Sequence, residues 1–122
     1  MNRKEITKSF LRLAASGKVK EAYDMYIHPN FRHHNPYFRG DALSLKSGME
    51  GASAQFPNTS FEVLRVLEDG DLVAAHSRIR LNPNMPEMAV VHIARFEGDR
   101  IAEFWDIVQE APKDSPNECG MF

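Results

Sequence analysis

The chain has 122 residues, of which 43% are hydrophobic and 26% charged, a composition typical of a globular protein with one core. Its fifteen basic and seventeen acidic residues give a net charge of -2 and form no Lys/Arg run, so a nucleic-acid partner is not expected. A single cysteine, Cys119, excludes an internal disulfide and a cysteine-rich zinc site.

The N-terminal segment MNRKEITKSFLRLAAS is charged throughout and lacks the apolar stretch of a signal peptide. No apolar run in the chain approaches the roughly 20 residues that would span a bilayer. We therefore expect a cytoplasmic protein that does not interact with membranes.

Helical periodicity dominates the first half of the chain. Three helices are predicted, over residues 6–14, 22–27 and 40–57. Gly17 supplies the stop signal of the first helix, and Pro29 ends the second. Asp41 could cap the third helix. The segment HHNP, residues 33–36, is predicted as a loop or a short extended piece.

After Pro57-Asn58 the pattern changes to that of strands, predicted at 61–67, 72–81, 88–96 and 101–109. Short turns join the strands, except at 82–87, where two prolines indicate a longer loop. Helices followed by consecutive strands predict an α+β fold with an antiparallel sheet that curls around the helices into a cone. We expect one domain, residues 1–112, followed by a polar tail, residues 113–122.

Polar residues at four places on this apolar background are candidates for chemistry. They are His34-Asn35, His76, His92, and Trp105-Asp106 with Gln109. A lone mid-strand histidine is more often structural than functional. Asp106, between Trp105 and Ile107, must be exposed, hydrogen-bonded or functional, because an unpaired buried charge is costly.

The position of His92 relative to Asp106 depends on the turn between the last two strands. A two-residue turn at Gly98-Asp99 places His92 opposite Trp105, whereas a three-residue turn with a bulge places it opposite Asp106. The sequence leaves both registers open. Only the second gives an imidazole–carboxylate pair, in which the carboxylate would raise the histidine's pKa.

The sequence lacks the motifs for metal binding, phosphate binding and nucleophilic catalysis by serine. No HxH or HxxxH pair lies within a strand or helix, no Gly-rich phosphate loop is present, and no serine has a nucleophile-elbow context. We therefore expect no metal and no cofactor, and proton transfer by histidine or aspartate is the chemistry that the sequence favours.

Taken together, these residues resemble the SnoaL-like polyketide cyclase family of the nuclear transport factor 2-like superfamily. The resemblance rests on His34-Asn35-Pro36, on FEGDRI (96–101), and on the pattern E-x-W-D-x-x-Q from Glu103 to Gln109. It implies a cone-shaped fold, an apolar pocket at its open end, homodimers through the sheet, and acid/base chemistry without cofactor or metal. The chain departs from many relatives at His92, where they carry aspartate, and at Phe104, where they carry histidine.

Two functions follow as hypotheses. The first is a cofactor-free acid/base enzyme, an aldol-type cyclase, isomerase or dehydratase, that acts on an apolar carbonyl compound. Asp106 would abstract a proton α to the carbonyl or hold a histidine that does so, and His34 or His76, with Asn35, would stabilise the enolate oxygen. The second is a non-catalytic ligand-binding or dimerisation module of the same fold.

The ligand contacts expected in either case come from the loop and the last two strands. They are Asn35, Tyr37, His92, Phe104, Trp105 and Gln109. Pro36 stiffens its loop, which is expected to aim His34 into the cavity and leave His33 outside. Convergence of His34, His76 and Asp106 on one point would favour the enzyme.

Overall fold

The computed structural model describes all 122 residues and contains three helices and one five-stranded sheet. The helices are α1 (Arg3–Ala15), α2 (Val19–Tyr26) and α3 (Ala42–Gln55). The strands are β1 (Ile27–His33), β2 (Ser60–Asp69), β3 (Leu72–Arg80), β4 (Met88–Glu97) and β5 (Arg100–Glu110). The predicted α+β class, with a curved sheet around the helices, is confirmed. No helix is both long enough and apolar enough to cross a lipid bilayer.

The ends of the helices follow from local side-chain chemistry. Asn2 caps α1 by accepting a hydrogen bond from the Glu5 amide at 2.8 Å, and Asp41 caps α3, as predicted, by accepting one from the Ser44 amide at 2.9 Å. Gly17 follows α1 with φ +90°, a left-handed conformation that side chains disfavour. A Cβ at Gly17 would also lie 2.8 Å from Ser53 Oγ, so this glycine allows α1 to approach α3.

The strand order is β1-β5-β4-β3-β2, and the last four strands of the chain form the predicted antiparallel meander. Strand β1, which runs parallel to β5, was not predicted. Pro29 indicated only the end of a helix, but it lies in an edge strand, where its missing N–H costs no ladder hydrogen bond. The pairing shifts between Ile27 and Arg32, so Pro29 lies in an irregular stretch.

A bulge at Ala102 decides the register of the last hairpin. The strands leave the turn at Gly98-Asp99 in the two-residue register, with Gly98 at φ +61°. Ala102 is then an extra residue in β5, and the shift that it causes places His92 opposite Asp106. The structure therefore has the two-residue turn of the first alternative and the His92–Asp106 pairing of the second, because the bulge lies inside the strand and not in the turn.

The register sorts the side chains onto two faces of the sheet. The inner face, which the helices cover, carries Val73, Ala75, His92, Ala94, Phe104 and Asp106. The outer face carries His76, Arg95, Glu103, Trp105, Ile107 and Gln109.

Aromatic rings form the centre of the core between the helices and the inner face. Phe10 of α1 contacts the Phe104 ring edge-on, with centroids 5.7 Å apart, and the Phe31 ring of β1 lies 6.4 Å from the same Phe104 ring. Such pairs contribute about 0.5–1.5 kcal/mol each beyond their buried area. Phe104 is thus a core residue, and this fixes the inward direction of alternate residues of β5.

The C-terminal residues 113–122 form no helix or strand, and the chain end returns to the outer face. The ring of Phe122 stacks on His76, with centroids 6.3 Å apart, and the Arg78 guanidinium lies 4.3 Å from the ring centroid. The tail therefore covers part of the outer face of β3.

Candidate functional site

An imidazole and a carboxylate meet on the inner face where β4 pairs with β5. His92 Nε2 lies 3.5 Å from Asp106 Oδ1, which is a charge–dipole contact longer than a good hydrogen bond. Both side chains are largely buried, with exposed fractions of 11% and 15%. The bulge at Ala102 is the cause of this contact, since the other register would have separated the two side chains.

Asn35 holds the carboxylate from the other side. Its Nδ2 donates a hydrogen bond to Asp106 Oδ2 at 3.0 Å, and its Oδ1 accepts one from the Tyr37 amide at 3.0 Å. The second bond makes an Asx turn that, with Pro36, fixes the carboxamide. The asparagine of the HHNP segment thus reaches the site, and its contact is with Asp106.

The loop around Asn35 is packed against α3. The Phe38 ring lies on Gly48, where a Cβ would come within 2.4 Å of the ring. The missing side chain of Gly48 makes room for Phe38. This packing gives the Asn35 loop a rigid support.

His92 lies in an apolar environment. Its ring stacks on Phe104, with centroids 5.1 Å apart, and its Nδ1 is buried without a hydrogen-bond partner. Burial lowers the pKa of His92 below 6.5, and this effect exceeds the opposing influence of Asp106. Asp106 raises this pKa, as expected, but desolvation of the imidazolium outweighs its influence, so the net shift is downward.

The contact with Asp106 determines which ring nitrogen of His92 carries the proton. A carboxylate beside Nε2 favours the tautomer with its proton on Nε2, which leaves Nδ1 as an unprotonated acceptor. Since the lowered pKa keeps the ring neutral at neutral pH, Nδ1 can accept a proton. Phe104 supplies the apolar surface on which the ring stacks.

A cavity of about 160 Å³ lies between α1, α3 and the inner face of the sheet. Eight of its eleven lining residues are hydrophobic. The lining consists of Leu11, Ala14, Ala15, Met49, Ala52, Ser53, Thr59, Phe61, Ile79, Leu81 and His92. His92 is the only ionisable side chain in this lining, and it joins the cavity to Asp106 and Asn35. The helix residues of the lining were missed, because small and apolar residues on a helix read as core.

The structure reverses the expected directions of the two adjacent histidines. His33 is buried, with Nε2 donating to the Arg39 carbonyl oxygen at 2.5 Å and Nδ1 accepting from the Asn35 amide at 3.1 Å. His34 lies on the outer side, and its ring stacks on Trp105 with centroids 5.0 Å apart. Side chains alternate along a strand, so the inward position of Phe31 dictates that His33 also points inward.

His34 belongs to an ion-pair cluster around Glu103. Its Nε2 donates to Glu103 Oε2 at 2.7 Å, and Arg32 and Arg95 contact the same carboxylate at 3.2 and 3.0 Å. The hydrogen bond from His34, with further bonds from both arginines, lowers the pKa of Glu103 to about 2. Sequence reasoning missed this cluster, although Arg95 and Glu103 have opposite charges on strands predicted to pair.

The remaining predicted residues do not join the inner-face site. His76 lies on the outer face, where it accepts a hydrogen bond from Arg65 and contacts Phe122. Tyr37 is 87% exposed, and Gln109 lies exposed near the end of β5. His34, His76 and Asp106 therefore do not converge, because the sheet separates the first two from the third. Asn35, His92 and Asp106 do come together, with Phe104 packed against His92.

No three His, Cys, Asp or Glu side chains are arranged to hold a metal ion. The site therefore consists of an imidazole, a carboxylate and a carboxamide beside an apolar cavity. Such a set can accept a proton, hold the resulting imidazolium next to a negative charge, and return the proton.

The family of the chain is shown by its sequence. Residues 7–104 match the model of the SnoaL-like domain. The chain belongs to the SnoaL-like domain family. The match confirms the predicted family and ends just before Trp105 and Asp106. No curated protein matches the SnoaL-like chain in sequence.

Solved structures are similar to this SnoaL-like domain in fold. A cystatin-fold protein from Novosphingobium aromaticivorans is 22% identical, with a TM-score of 0.73 over 88% of this chain and 98% of that one. A SnoaL-like polyketide cyclase from Agrobacterium tumefaciens is 16% identical, with a TM-score of 0.71 over 89% and 92%. An NTF2-like protein from Cytophaga hutchinsonii is 15% identical, with a TM-score of 0.72 over 89% and 91%. At these identities the likeness shows the fold alone.

Proposed function

We propose that the protein is a cofactor-free acid/base enzyme that acts on a small apolar carbonyl compound, with His92 as the general base. The observation that carries this proposal is the position of His92, whose side chain lines an apolar cavity and whose buried Nδ1 has no hydrogen-bond partner. Buried polar atoms normally have a partner, so the missing partner marks His92 as a candidate for chemistry. Membership of the SnoaL-like family and the fold shared with a polyketide cyclase are consistent with it.

The proposed reaction begins with removal of a proton from the carbon α to the carbonyl. The C–H bond breaks, its electron pair moves into the enolate, and the proton passes to Nδ1 of His92. Asp106 stabilises the imidazolium, as its carboxylate lies 3.5 Å from Nε2, and Asn35 holds that carboxylate in place. Return of the proton to another carbon gives isomerisation. Attack of the enolate carbon on a second carbonyl gives aldol closure, in which the new alkoxide takes the proton back from His92.

A second candidate function is ligand binding without catalysis. It is favoured by the separation of His34 and His76 from Asp106, which removes the two imidazoles expected to stabilise an enolate oxygen. In this case the cavity would hold an apolar ligand and His92 would only donate or accept a hydrogen bond. The homodimer through the sheet that the family resemblance implies stays a prediction.

The first test is deuterium exchange at the α-carbon of a small ketone in D2O, followed by NMR. His92→Gln is expected to slow exchange by about 10²–10⁴-fold, the usual contribution of a positioned general base. His76→Gln is the matched control, since His76 lies on the adjacent strand but on the outer face. It is expected to keep the wild-type rate.

Equal exchange rates for the wild type and His92→Gln would contradict the proposed base. Binding of the ketone by the wild type with no exchange above the rate in buffer would favour the binding module. Thermal unfolding of both variants, followed by circular dichroism, controls for loss of the fold.

A further inference from the structure

The cavity beside His92 is small. A cavity of about 150 Å³ lined by aliphatic and aromatic side chains admits a molecule the size of benzene. The cavity here has about 160 Å³ and an apolar lining that includes Leu11, Met49, Phe61 and Ile79. Its volume therefore matches one six-membered ring and is below the usual range of about 300–1,000 Å³ for sites that enclose drug-sized ligands.

The polar groups of the cavity lie on opposite walls. His92 belongs to the sheet wall, and its buried Nδ1 has no partner. Ser53 belongs to α3 on the helix wall, and its hydroxyl makes no hydrogen bond within the protein. Thr59, the third polar residue, already donates its hydroxyl proton to the Phe56 carbonyl oxygen at 2.9 Å. A ligand between the walls can thus contact the Ser53 hydroxyl on one side and the His92 ring on the other.

We propose that the substrate is a monocyclic or similarly short ketone of about six to eight non-hydrogen atoms, with its carbonyl oxygen at Ser53 and its α-carbon at His92. This inference rests on the proposed function, because it assigns a substrate class to the same site. Ser53 then supplies the donor that stabilises the enolate oxygen, the role expected of His34 or His76 from the sequence. Fused-ring ketones are expected to bind more weakly, because a second ring exceeds the cavity volume of about 160 Å³.

The size limit is tested with two ketones, cyclohexanone and the bicyclic 1-tetralone, each titrated into the protein. Binding is followed through the imidazole resonances of His92, and α-deuterium exchange is measured in the same samples. Cyclohexanone is expected to shift the His92 resonances and to bind at least about tenfold more tightly than 1-tetralone, since extra ring atoms cannot enter the cavity.

Three substitutions test whether this preference for cyclohexanone arises in the cavity. Ala14→Leu fills part of the volume and is expected to weaken cyclohexanone binding about tenfold, whereas Ala54→Leu, on an exposed position of α3 outside the lining, is expected to leave it unchanged. Ser53→Ala is expected to lower the exchange rate about 10²-fold, as loss of an oxyanion donor does. Retained circular dichroism spectra verify that each variant is folded.

The outcomes separate the size inference from the proposed function. Binding of cyclohexanone alone, without exchange, supports the size inference and contradicts the proposed enzyme. Exchange of 1-tetralone as fast as that of cyclohexanone supports the enzyme and overturns the size inference. Failure of both ketones to shift the His92 resonances also overturns the size inference.

Discussion

The two faces of the sheet each carry a histidine beside a carboxylate, and the two pairs differ in almost every other respect. On the outer face, His34 Nε2 lies 2.7 Å from Glu103 Oε2, and two arginines contact the same carboxylate. On the inner face, His92 Nε2 lies 3.5 Å from Asp106 Oδ1, with no cation beside it and only Asn35 donating to the carboxylate.

A short contact between an imidazole and a carboxylate does not by itself identify an active site. The outer pair has the better hydrogen bond, but its imidazole is half-exposed and its carboxylate is saturated by arginines. The inner pair is looser, but its imidazole is buried, neutral and unpartnered at the nitrogen that faces away from the carboxylate. A buried polar atom without a hydrogen-bond partner, on a side chain that lines an apolar cavity, is therefore the better indication of an active site.

The largest expected difference between the two pairs is in rate. Asp106→Asn is expected to reduce α-exchange by about 10²-fold or more, because the imidazolium loses its counter-charge and the neutral imidazole loses its preferred tautomer. Glu103→Gln is expected to leave the rate unchanged within about twofold and to cost about 1–3 kcal/mol of unfolding free energy, since charged hydrogen bonds are lost. Exchange rates and urea unfolding of both variants measure these effects.

The opposite result would contradict the assignment of the acid/base pair to the inner face. A fall in rate for Glu103→Gln with the Asp106→Asn rate intact would place the acid/base pair on the outer face. Ligand affinity measured on Asp106→Asn controls for lost binding, and it is expected to stay close to that of the wild type.

The two pairs are also expected to respond to acid in different pH ranges. Burial lowers the pKa of His92 below 6.5, so the unfolded chain binds a proton on this residue more readily than the folded protein does. Stability is therefore expected to fall as the pH decreases below 6.5, and the exchange rate is expected to fall at the lower pH at which His92 of the folded protein becomes protonated. Glu103, with a folded pKa of about 2, contributes stability above its ordinary value of 4.5, and this is lost as the pH falls from 4.5 toward 2.

Two variants test which residue causes the loss of stability in each pH range. His92→Gln is expected to remove the loss of stability just below pH 6.5, and Glu103→Gln the loss below pH 4.5. Thermal unfolding between pH 3 and pH 8 measures both. An unchanged profile for His92→Gln would contradict a buried neutral imidazole.

Much of the fold could be predicted from the sequence, because periodicity and capping act locally. The three helices, the Asp41 cap and the antiparallel meander each follow from residues close together in the chain. Strand β1 could not be predicted in this way, since Pro29 is acceptable only at a sheet edge and the sequence does not show which strand is an edge.

The candidate site depends on one long-range detail. Asp106 and Asn35 were singled out from the sequence, and they meet in the structure. The partner of Asp106 depends on a bulge of one residue at Ala102. The adjacent residues Ile101 and Ala102 are small or apolar and do not indicate a bulge in the sequence. His76 and His34 were candidates because a histidine is rare on an apolar strand or beside it, but the face on which each lies is set by pairing.

The smallest expected effect concerns the C-terminal residue on the outer face. Phe122 contacts His76 and lies 4.3 Å from the Arg78 guanidinium, so deleting it removes one cation–π contact and one stacked ring pair. Such a contact at an exposed site contributes about 0.5–1 kcal/mol. Deletion of Phe122 is therefore expected to lower the free energy of unfolding by about that amount without changing exchange. A marked fall in the exchange rate on deletion would instead show that the outer face communicates with His92, because the deleted ring and the cavity lie on opposite sides of the sheet.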